Sequence, residues 1–245
     1  MQEICRLFTG EVQPVVVPFM AAIEMIHTSS LVHDDLPCMD NDAYRRGNLT
    51  TWKKYGYDMA VLAGDKLFIY AFETAAKAFA LTDRADLVGK AISILANKAG
   101  IYGMIGGQSV DVEYTDRPVT KSQLEFIYEL KTAALLEAAM MIGAVLAGAD
   151  DNQVKAAEQI AHHVGMAFQI RDDILDVIST TEELGKPVKS DEKNNKTTYV
   201  TIYGLDGASK LVEEYSHTAM TLLDQVCPNA SFLKRLFEYL IVRKK

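Results

Sequence analysis

Cysteine is scarce in this chain, and the few cysteines present form no pattern. Cys5, Cys38 and Cys227 are the only three among 245 residues, and they are widely spaced. This spacing argues against a disulfide framework and against a zinc site. It predicts a reducing compartment, the cytoplasm.

Basic residues and unbroken apolar runs are also few. The formal net charge is −8 at pH 7. Nucleic acid is therefore not expected as a partner, because its phosphate backbone calls for a basic surface. Residues 12–31 and 132–149 are apolar, but Glu24 and Glu137 interrupt them. We expect buried helices there and no transmembrane segment, and no signal peptide is visible.

Strand signals are missing, whereas helical periodicity covers almost the whole chain. No alternation of apolar and polar residues persists, and there is neither a repeat nor a linker rich in Gly, Ser or Pro. The sequence predicts one all-α domain over residues 1–245, a bundle of long helices. The predicted helices are 15–32, 59–79, 84–106 with a break near Gly103, 120–146, 150 or 151 to 178, 207–225 and 231–242, with a loop at 182–195.

Two aspartate clusters are the most informative feature of the chain. The first is Asp34, Asp35 and Asp40, and the second is Asp172, Asp173 and Asp176. Each follows an apolar run, and crowded carboxylates repel one another, so a cation should share the space. Mg²⁺ is the natural candidate, because it prefers a few carboxylates together with a substrate phosphate.

Helical geometry groups further side chains with these clusters. Gln169, either Asp172 or Asp173, and Asp176 share one helix face. A solvated acidic stripe is the alternative, but charges flanked by Ile and Leu are rarely only surface. His27 and Ser30 align with Asp34; this histidine is either a ligand or a satisfied core residue.

Basic residues accompany both clusters. Arg45 and Arg46 follow the first, and a set of lysines follows the second: Lys186, Lys189, Lys193 and Lys196. Lys189 and Lys193 are read as solvated. Lys131 lies in an otherwise apolar helix and needs an anionic partner if it is buried. Together these residues predict a diphosphate held through Mg²⁺, and the surrounding apolar helices suggest that the rest of the substrate is hydrocarbon.

At these residues the chain closely resembles the trans-prenyltransferases, the farnesyl and geranylgeranyl diphosphate synthases. The matching strings follow the family's order over nearly the whole chain: 24–42, 45–47, 62–65, 106–108, 131–132, 168–169, 172–176, 184–187 and 190–200. The resemblance implies an all-α isoprenoid-synthase fold, a homodimer, and Mg²⁺ as the cofactor.

The resemblance also implies a role for each site residue. The Mg²⁺ ligands would be Asp34, Asp35, Asp40, Asp172, Asp173 and Asp176. The allylic diphosphate would be bound by Arg45, Lys131, Thr132, Gln169, Lys186 and Lys196, and isopentenyl diphosphate by His27 and Arg46. Lys131, Thr132 and Gln169 would also serve catalysis by stabilising an allylic cation, which forms when diphosphate leaves and is attacked by the alkene of isopentenyl diphosphate.

Two alternatives remain open. A terpene cyclase also ionises a diphosphate, but its second metal motif usually mixes Asn, Ser and Glu. A non-catalytic subunit of a prenyl synthase heteromer is the other. It gains weight because the family's Gly-Lys-x-x-Arg-Pro motif, whose Lys and Arg bind isopentenyl diphosphate, has no match here. The chain is thus expected to begin late relative to the family.

Product length is expected to depend on Ser29 and Ser30. In the family, the residue five before the first Asp helps to form the floor of the hydrocarbon cavity, and here it is Ser29. Helix geometry places Ser30 under Asp34. The small side chain of Ser29 predicts growth past farnesyl to geranylgeranyl diphosphate.

Overall fold

The computed structural model describes residues 1–115, 117–178 and 197–242, the side chain of Val242 excepted, and the all-α prediction is confirmed. The predicted loop at 182–195 lies outside these residues. The helices are α1 (Gln2–Thr9), α2 (Val16–Asp34), α3 (Thr51–Tyr55), α4 (Tyr57–Ala76), α5 (Ala85–Ala99), α6 (Met104–Glu113), α7 (Lys121–Tyr128), α8 (Ala134–Leu146), α9 (Asp151–Ile178), α10 (Tyr199–Val226) and α11 (Ser231–Val242). A 3₁₀ turn, Lys77–Leu81, extends α4, and a π-helical segment, Glu129–Ala133, joins α7 to α8.

Helix ends follow local capping chemistry. Thr120 and Gln123 form the reciprocal capping box that opens α7, as their spacing predicts. Thr198 and Thr201 do the same for α10. This helix therefore begins at Tyr199, well before the predicted start at 207, and it is kinked at Gly204, whose φ is 69°. The predicted break near Gly103 is confirmed, because a turn there separates α5 from α6.

A short hairpin was not predicted from the sequence. Strand β1 (Tyr44–Arg45) pairs antiparallel with β2 (Asn48–Leu49). Arg46 and Gly47 form the turn, with φ values of 50° and 76°. Positive φ at both central residues is the mark of the two-residue turn that matches strand twist. Two-residue strands are too short to show alternation, so the sequence carried no strand signal here.

Two groups of buried side chains form the core, and α9 contributes to both. The first lies among α1, α2, α4, α5, α8, the first half of α9, the end of α10 and α11, and includes Phe19, Leu95 and Ile142. The second joins α7 and α10 to the later part of α9, around Ile170 and Tyr199. Each fully buried large side chain contributes about 1.5–3 kcal/mol. Packing on both cores fixes α9, which carries the second aspartate cluster.

Among the described helices, α2 alone has the length and apolar composition of a membrane span. It has 19 residues, and 33% of its apolar window is buried. One such helix is weak evidence, because core helices of comparable length pass the same test. Val16, Phe19 and Ile26 of α2 are fully buried in the first core.

A buried ionic cluster ties α5, α8 and α9 together. Glu137, which is 6% exposed, binds Lys98 and accepts a hydrogen bond from His162 Nδ1 at 3.1 Å. Lys98 Nζ also binds Glu158 Oε1 at 2.6 Å. Burial by itself would raise the pKa of Glu137, but the hydrogen bonds from His162 and Lys98 bring it below its ordinary value. The carboxylate is therefore charged and satisfied inside the bundle.

We expect Lys98→Ala to destabilise the protein strongly. Removing one partner leaves Glu137 buried with less compensation, a change that costs about 3–5 kcal/mol in other proteins. Lys90→Ala is the matched control, since Lys90 also links α5 to α9, through Asp151 at 2.6 Å, but in an exposed pair. It should cost about 0–1 kcal/mol. Urea unfolding of both variants measures the difference, and equal costs would contradict the interpretation.

Candidate active site

The π-helical segment Glu129–Ala133 carries Lys131 and Thr132, and two glycines flank it. A Cβ on Gly107 of α6 would lie 2.3 Å from the backbone nitrogen of Lys131. A Cβ on Gly165 of α9 would lie 2.7 Å from the Cα of Ala133. Single π turns inside α-helices occur frequently at functional sites. The close approach of α6 and α9 therefore fixes the backbone that presents Lys131 and Thr132.

Lys131 has the anionic partner that its apolar setting requires. Its Nζ lies 2.7 Å from Asp111 Oδ2. Burial lowers the pKa of Lys131, but the nearby charges of Asp34, Asp111 and Asp40 outweigh it and raise this pKa above its ordinary value. The prediction of an anionic partner is confirmed, and Lys131 lies within electrostatic reach of the first aspartate cluster.

Asp34 lies half-buried at the C-terminal end of α2, close to Asp40. The backbone N–H of Asp40 donates to the carbonyl of Asp34 at 2.9 Å, so the loop returns as predicted. Burial raises the pKa of Asp34 and the charges of Asp40 and Asp111 add to this, while Lys131 and Arg45 oppose it. An added cation would stabilise this crowded carboxylate.

Gln108 of α6 contacts the same carboxylate. Its Nε2 donates to Asp34 Oδ1 at 2.6 Å. Its buried Oε1 has no hydrogen-bond partner among the residues that the structure describes. A buried acceptor beside a carboxylate is the kind of oxygen donor that a hard cation or its water ligands can use.

Asp35 binds the hairpin through Arg45. It is 4% exposed, and its Oδ1 accepts from Arg45 Nε at 2.8 Å and from a terminal guanidinium nitrogen at 2.7 Å. Burial by itself would lower the pKa of Arg45, but the hydrogen bond to Asp35 and its charge raise the Arg45 pKa above its ordinary value. The pair fixes the hairpin beside α2 and leaves Arg46 exposed in the turn.

The other predicted residues of α2 occupy separate positions. His27 is exposed, and Ser30 donates to its carbonyl at 2.8 Å. Ser29 is buried and donates to the carbonyl of Gly64 in α4 at 2.9 Å. Ser29 therefore packs against α4, and it is not among the residues that line the cavity described below.

The second cluster meets the π-helical segment through Gln169. Thr132 Oγ1 donates to Gln169 Oε1 at 2.8 Å, so these two predicted residues are in contact. Asp172 is half-buried and Asp176 is 3% exposed. Asp173 accepts from the hydroxyl of Tyr128 and from the backbone N–H of Tyr199.

A cavity of about 120 Å³ opens beside these residues. Its polar lining includes Asp111, Lys131, Thr132 and Gln169. Its apolar lining comprises Val119, Leu124 and Ile127. A cavity lined by both charged and apolar side chains can hold an anionic group and exclude water from the atoms next to it.

The oxygen donors near Asp34 suit Mg²⁺, which binds partly through substrate phosphate and water, better than they suit a metal ion held only by protein ligands. Within residues 1–115, 117–178 and 197–242, no three His, Cys, Asp or Glu side chains converge closely enough to hold an ion. Mg²⁺ keeps several waters and uses one or two carboxylates plus substrate phosphate. Asp34, Asp40 and the Gln108 amide supply only oxygen donors, which suits this mode of binding.

Two predicted lysines cannot be placed, and two residues near Lys131 were not predicted. Lys186 and Lys196 lie outside the described residues, so their diphosphate-binding roles stay predictions. Asp111 and Tyr128 were missed, although both lie on helix faces next to Lys131. An acidic residue three positions after Gln108 on an apolar helix was a signal for Asp111, and no sequence signal singled out Tyr128.

Comparison with known proteins gives one consistent answer. The family model described as polyprenyl synthetase matches residues 2–228. A farnesyl diphosphate synthase of Geobacillus stearothermophilus is 41% identical over 234 residues, which are 96% of this chain and 79% of that protein. A geranylgeranyl diphosphate synthase of Cyanophora paradoxa is 45% identical over 210 residues, covering 85% of this chain and 69% of that protein.

Solved structures give the same answer for the fold. An FPP/GFPP synthase from Zymomonas mobilis superposes with a TM-score of 0.85 at 29% identity, covering 98% of this chain and 80% of that one. A geranyltransferase from Helicobacter pylori, complexed with magnesium and isoprenyl diphosphate, has a TM-score of 0.82 at 33% identity and covers 98% of this chain and 82% of its own.

We expect Gly107→Ala to destabilise the protein by about 1–3 kcal/mol, because the new methyl group must push the Lys131 backbone away. Gly89→Ala is the control: it lies on α5, and nothing is within 4 Å of an added Cβ. It should stabilise by about 0.5–1 kcal/mol through helix propensity alone. Urea unfolding compares the two variants, and a neutral Gly107→Ala would argue against the close approach.

Proposed function

Because the chain belongs to the polyprenyl synthetase family and is a prenyltransferase of the farnesyl and geranylgeranyl diphosphate synthase type, we propose how its residues carry out the reaction. An allylic diphosphate loses diphosphate to give an allylic cation. The alkene of isopentenyl diphosphate attacks this cation head to tail. Loss of a proton to the departing diphosphate then gives the longer allylic diphosphate.

The cluster around Lys131 is the observation that carries this assignment. Lys131 holds its charge among Asp34, Asp40 and Asp111 at the edge of the cavity. An ammonium group held there can stabilise the leaving diphosphate as negative charge develops on it. Arg45 would add a second positive charge, steadied by Asp35.

Asp34, Asp40, Asp172 and Asp176 would hold Mg²⁺. When bound, Mg²⁺ supplies Lewis-acid stabilisation of the leaving group. The buried Oε1 of Gln108 supports this assignment, because it adds an unpartnered oxygen next to Asp34 within the described part of the chain. Lys186 and Lys196 are proposed to complete the diphosphate site.

The hydroxyl of Thr132 and the amide of Gln169 would stabilise the allylic cation. They are in contact at 2.8 Å on the cavity wall. Their oxygen dipoles cost no reorganisation during the reaction if the π-helical segment already fixes them. The apolar residues Val119, Leu124 and Ile127 would limit the access of water to the cation. His27 and Arg46 are proposed for isopentenyl diphosphate.

A homodimer is also proposed. Large apolar side chains remain exposed along α4: Met59 at 53%, Leu62 at 60% and Ile69 at 69%. Ile101 and Tyr102 are exposed by 69% and 71%. An apolar helix face of this kind marks an interaction surface, and self-complementary twofold dimers are the most common way of covering one.

Turnover by the purified chain tests the proposed reaction. With Mg²⁺, isopentenyl diphosphate and an allylic diphosphate, we expect diphosphate release and a longer prenyl diphosphate, both abolished by a metal chelator. Lys131→Ala should lower kcat/KM by about 10²–10³-fold, the typical cost of removing one charge-stabilising group. Lys90→Ala removes a remote lysine and should leave turnover unchanged. A chain that never turns over, yet alters the product of a catalytic homologue, would support the non-catalytic subunit instead.

Ser29→Tyr tests the prediction of product length. A tyrosine cannot keep the hydrogen bond to Gly64 in the space of a serine, so its ring must displace α4 or enter the space between the helices. We expect geranylgeranyl diphosphate from the wild type and a shorter product from the variant, compared by chromatography. Thr28→Tyr is the neighbouring control, because Thr28 is exposed on α2, and an unchanged product from Ser29→Tyr would remove the hypothesis.

A further inference from the structure

Asp173 of the second aspartate cluster is hydrogen-bonded to two tyrosines among the described residues. It is 2% exposed on α9. The hydroxyl of Tyr128 lies 2.8 Å from each of its carboxylate oxygens. The backbone N–H of Tyr199 donates to its Oδ2 at 2.9 Å. Its carboxylate is therefore engaged by two protein donors.

These two donors come from segments that bracket the site. Tyr128 is the last residue of α7 and directly precedes the π-helical segment that carries Lys131 and Thr132. Tyr199 is the first residue of α10, three positions after Lys196 in sequence. The two tyrosine rings also contact each other, with centroids 5.3 Å apart. Asp173 thus connects both segments to the middle of α9.

The bond to Tyr199 acts as a cap supplied from another helix. Thr198 satisfies the N–H of Thr201, whereas Asp173 accepts from the N–H of Tyr199. The first N–H groups of a helix have no partner within the helix, and a carboxylate there is favoured by the helix dipole. Hydrogen bonds to a charged acceptor are stronger than those between neutral groups, so this bond helps to fix the start of α10.

We propose that Asp173 is a positioning residue rather than a metal ligand. It holds the backbone before Lys131 and the start of α10 at a set distance from Asp172, the preceding residue of α9. This inference rests on the proposed function, in which Lys131 binds the diphosphate and Asp172 binds Mg²⁺. Its direct consequence is that loss of the Tyr128–Asp173 bond weakens diphosphate binding without changing the requirement for Mg²⁺.

The test compares Tyr128→Phe, Asp173→Asn, the double variant and Asp172→Asn in the full chain. The ligand is a non-ionisable allylic thiolodiphosphate, whose binding is followed by calorimetry over a range of Mg²⁺ concentrations. Tyr128→Phe removes one hydroxyl and leaves every carboxylate in place. Tyr239→Phe on α11 is the matched control, since this tyrosine is 65% exposed. Amide hydrogen exchange at Tyr199 reports on the bond itself, independently of ligand.

We expect Tyr128→Phe and Asp173→Asn each to weaken analogue binding about tenfold, as for the loss of one hydrogen bond to a charged group. The double variant should bind the analogue no more weakly than the single variant with the lower affinity, because both substitutions remove the same Tyr128–Asp173 bond. Half-saturating Mg²⁺ should stay unchanged in these variants and rise on the order of tenfold in Asp172→Asn. Exchange at Tyr199 should quicken in Asp173→Asn.

Two results would overturn the inference. The first is a raised Mg²⁺ requirement in Asp173→Asn with wild-type binding in Tyr128→Phe, which would make Asp173 a ligand. The second is that Tyr128→Phe and Asp173→Asn lower the stability of the protein and the number of analogue-binding sites per chain, while the affinity of the remaining sites is unchanged. Asp173 would then have only a structural role. A wild type that binds no analogue would instead refute the proposed function, so the two failures are distinguishable.

Discussion

The close approach of three helices at the π-helical segment Glu129–Ala133 is the constraint on which the site depends. Gly107 and Gly165 face this segment from α6 and α9, and a methyl group on either would overlap its backbone or Ala133. Because the contact is this tight, Lys131 and Thr132 have little freedom. Asp111 on α6 and Gln169 on α9 are brought to them by the same contact. The contact of α6 and α9 with this segment therefore both packs the backbone and brings the functional side chains together.

Charge balance explains how the site tolerates so many carboxylates. Lys131 lies among Asp34, Asp40 and Asp111, and its positive charge offsets part of their repulsion. Asp35 of the first cluster binds Arg45, and Asp173 of the second binds Tyr128 and Tyr199. We propose that the remaining members are the ones that serve the metal ion.

Most of the fold could be predicted because helical periodicity and capping are local properties. The helix from 15 to 32 is observed as α2, and the capping box of Thr120 begins α7 as expected. Features that depend on distant contacts were missed. The π-helical segment depends on glycines from two other helices, and the early start of α10 coincides with a cap from Asp173 on α9. The hairpin was missed because its strands are only two residues long.

The sequence by itself determined the residue types and the chemistry: two acidic clusters, an isolated lysine that needs an anion, and the apolar helices around them. These follow from composition and spacing, which need no knowledge of distant neighbours. Only the tertiary structure decided which groups pair, namely Lys131 with Asp111, Arg45 with Asp35, and Tyr128 with Asp173. The physical reason is that a hydrogen bond is set by separations of a few ångströms, and helix packing, not position along the chain, brings these groups together.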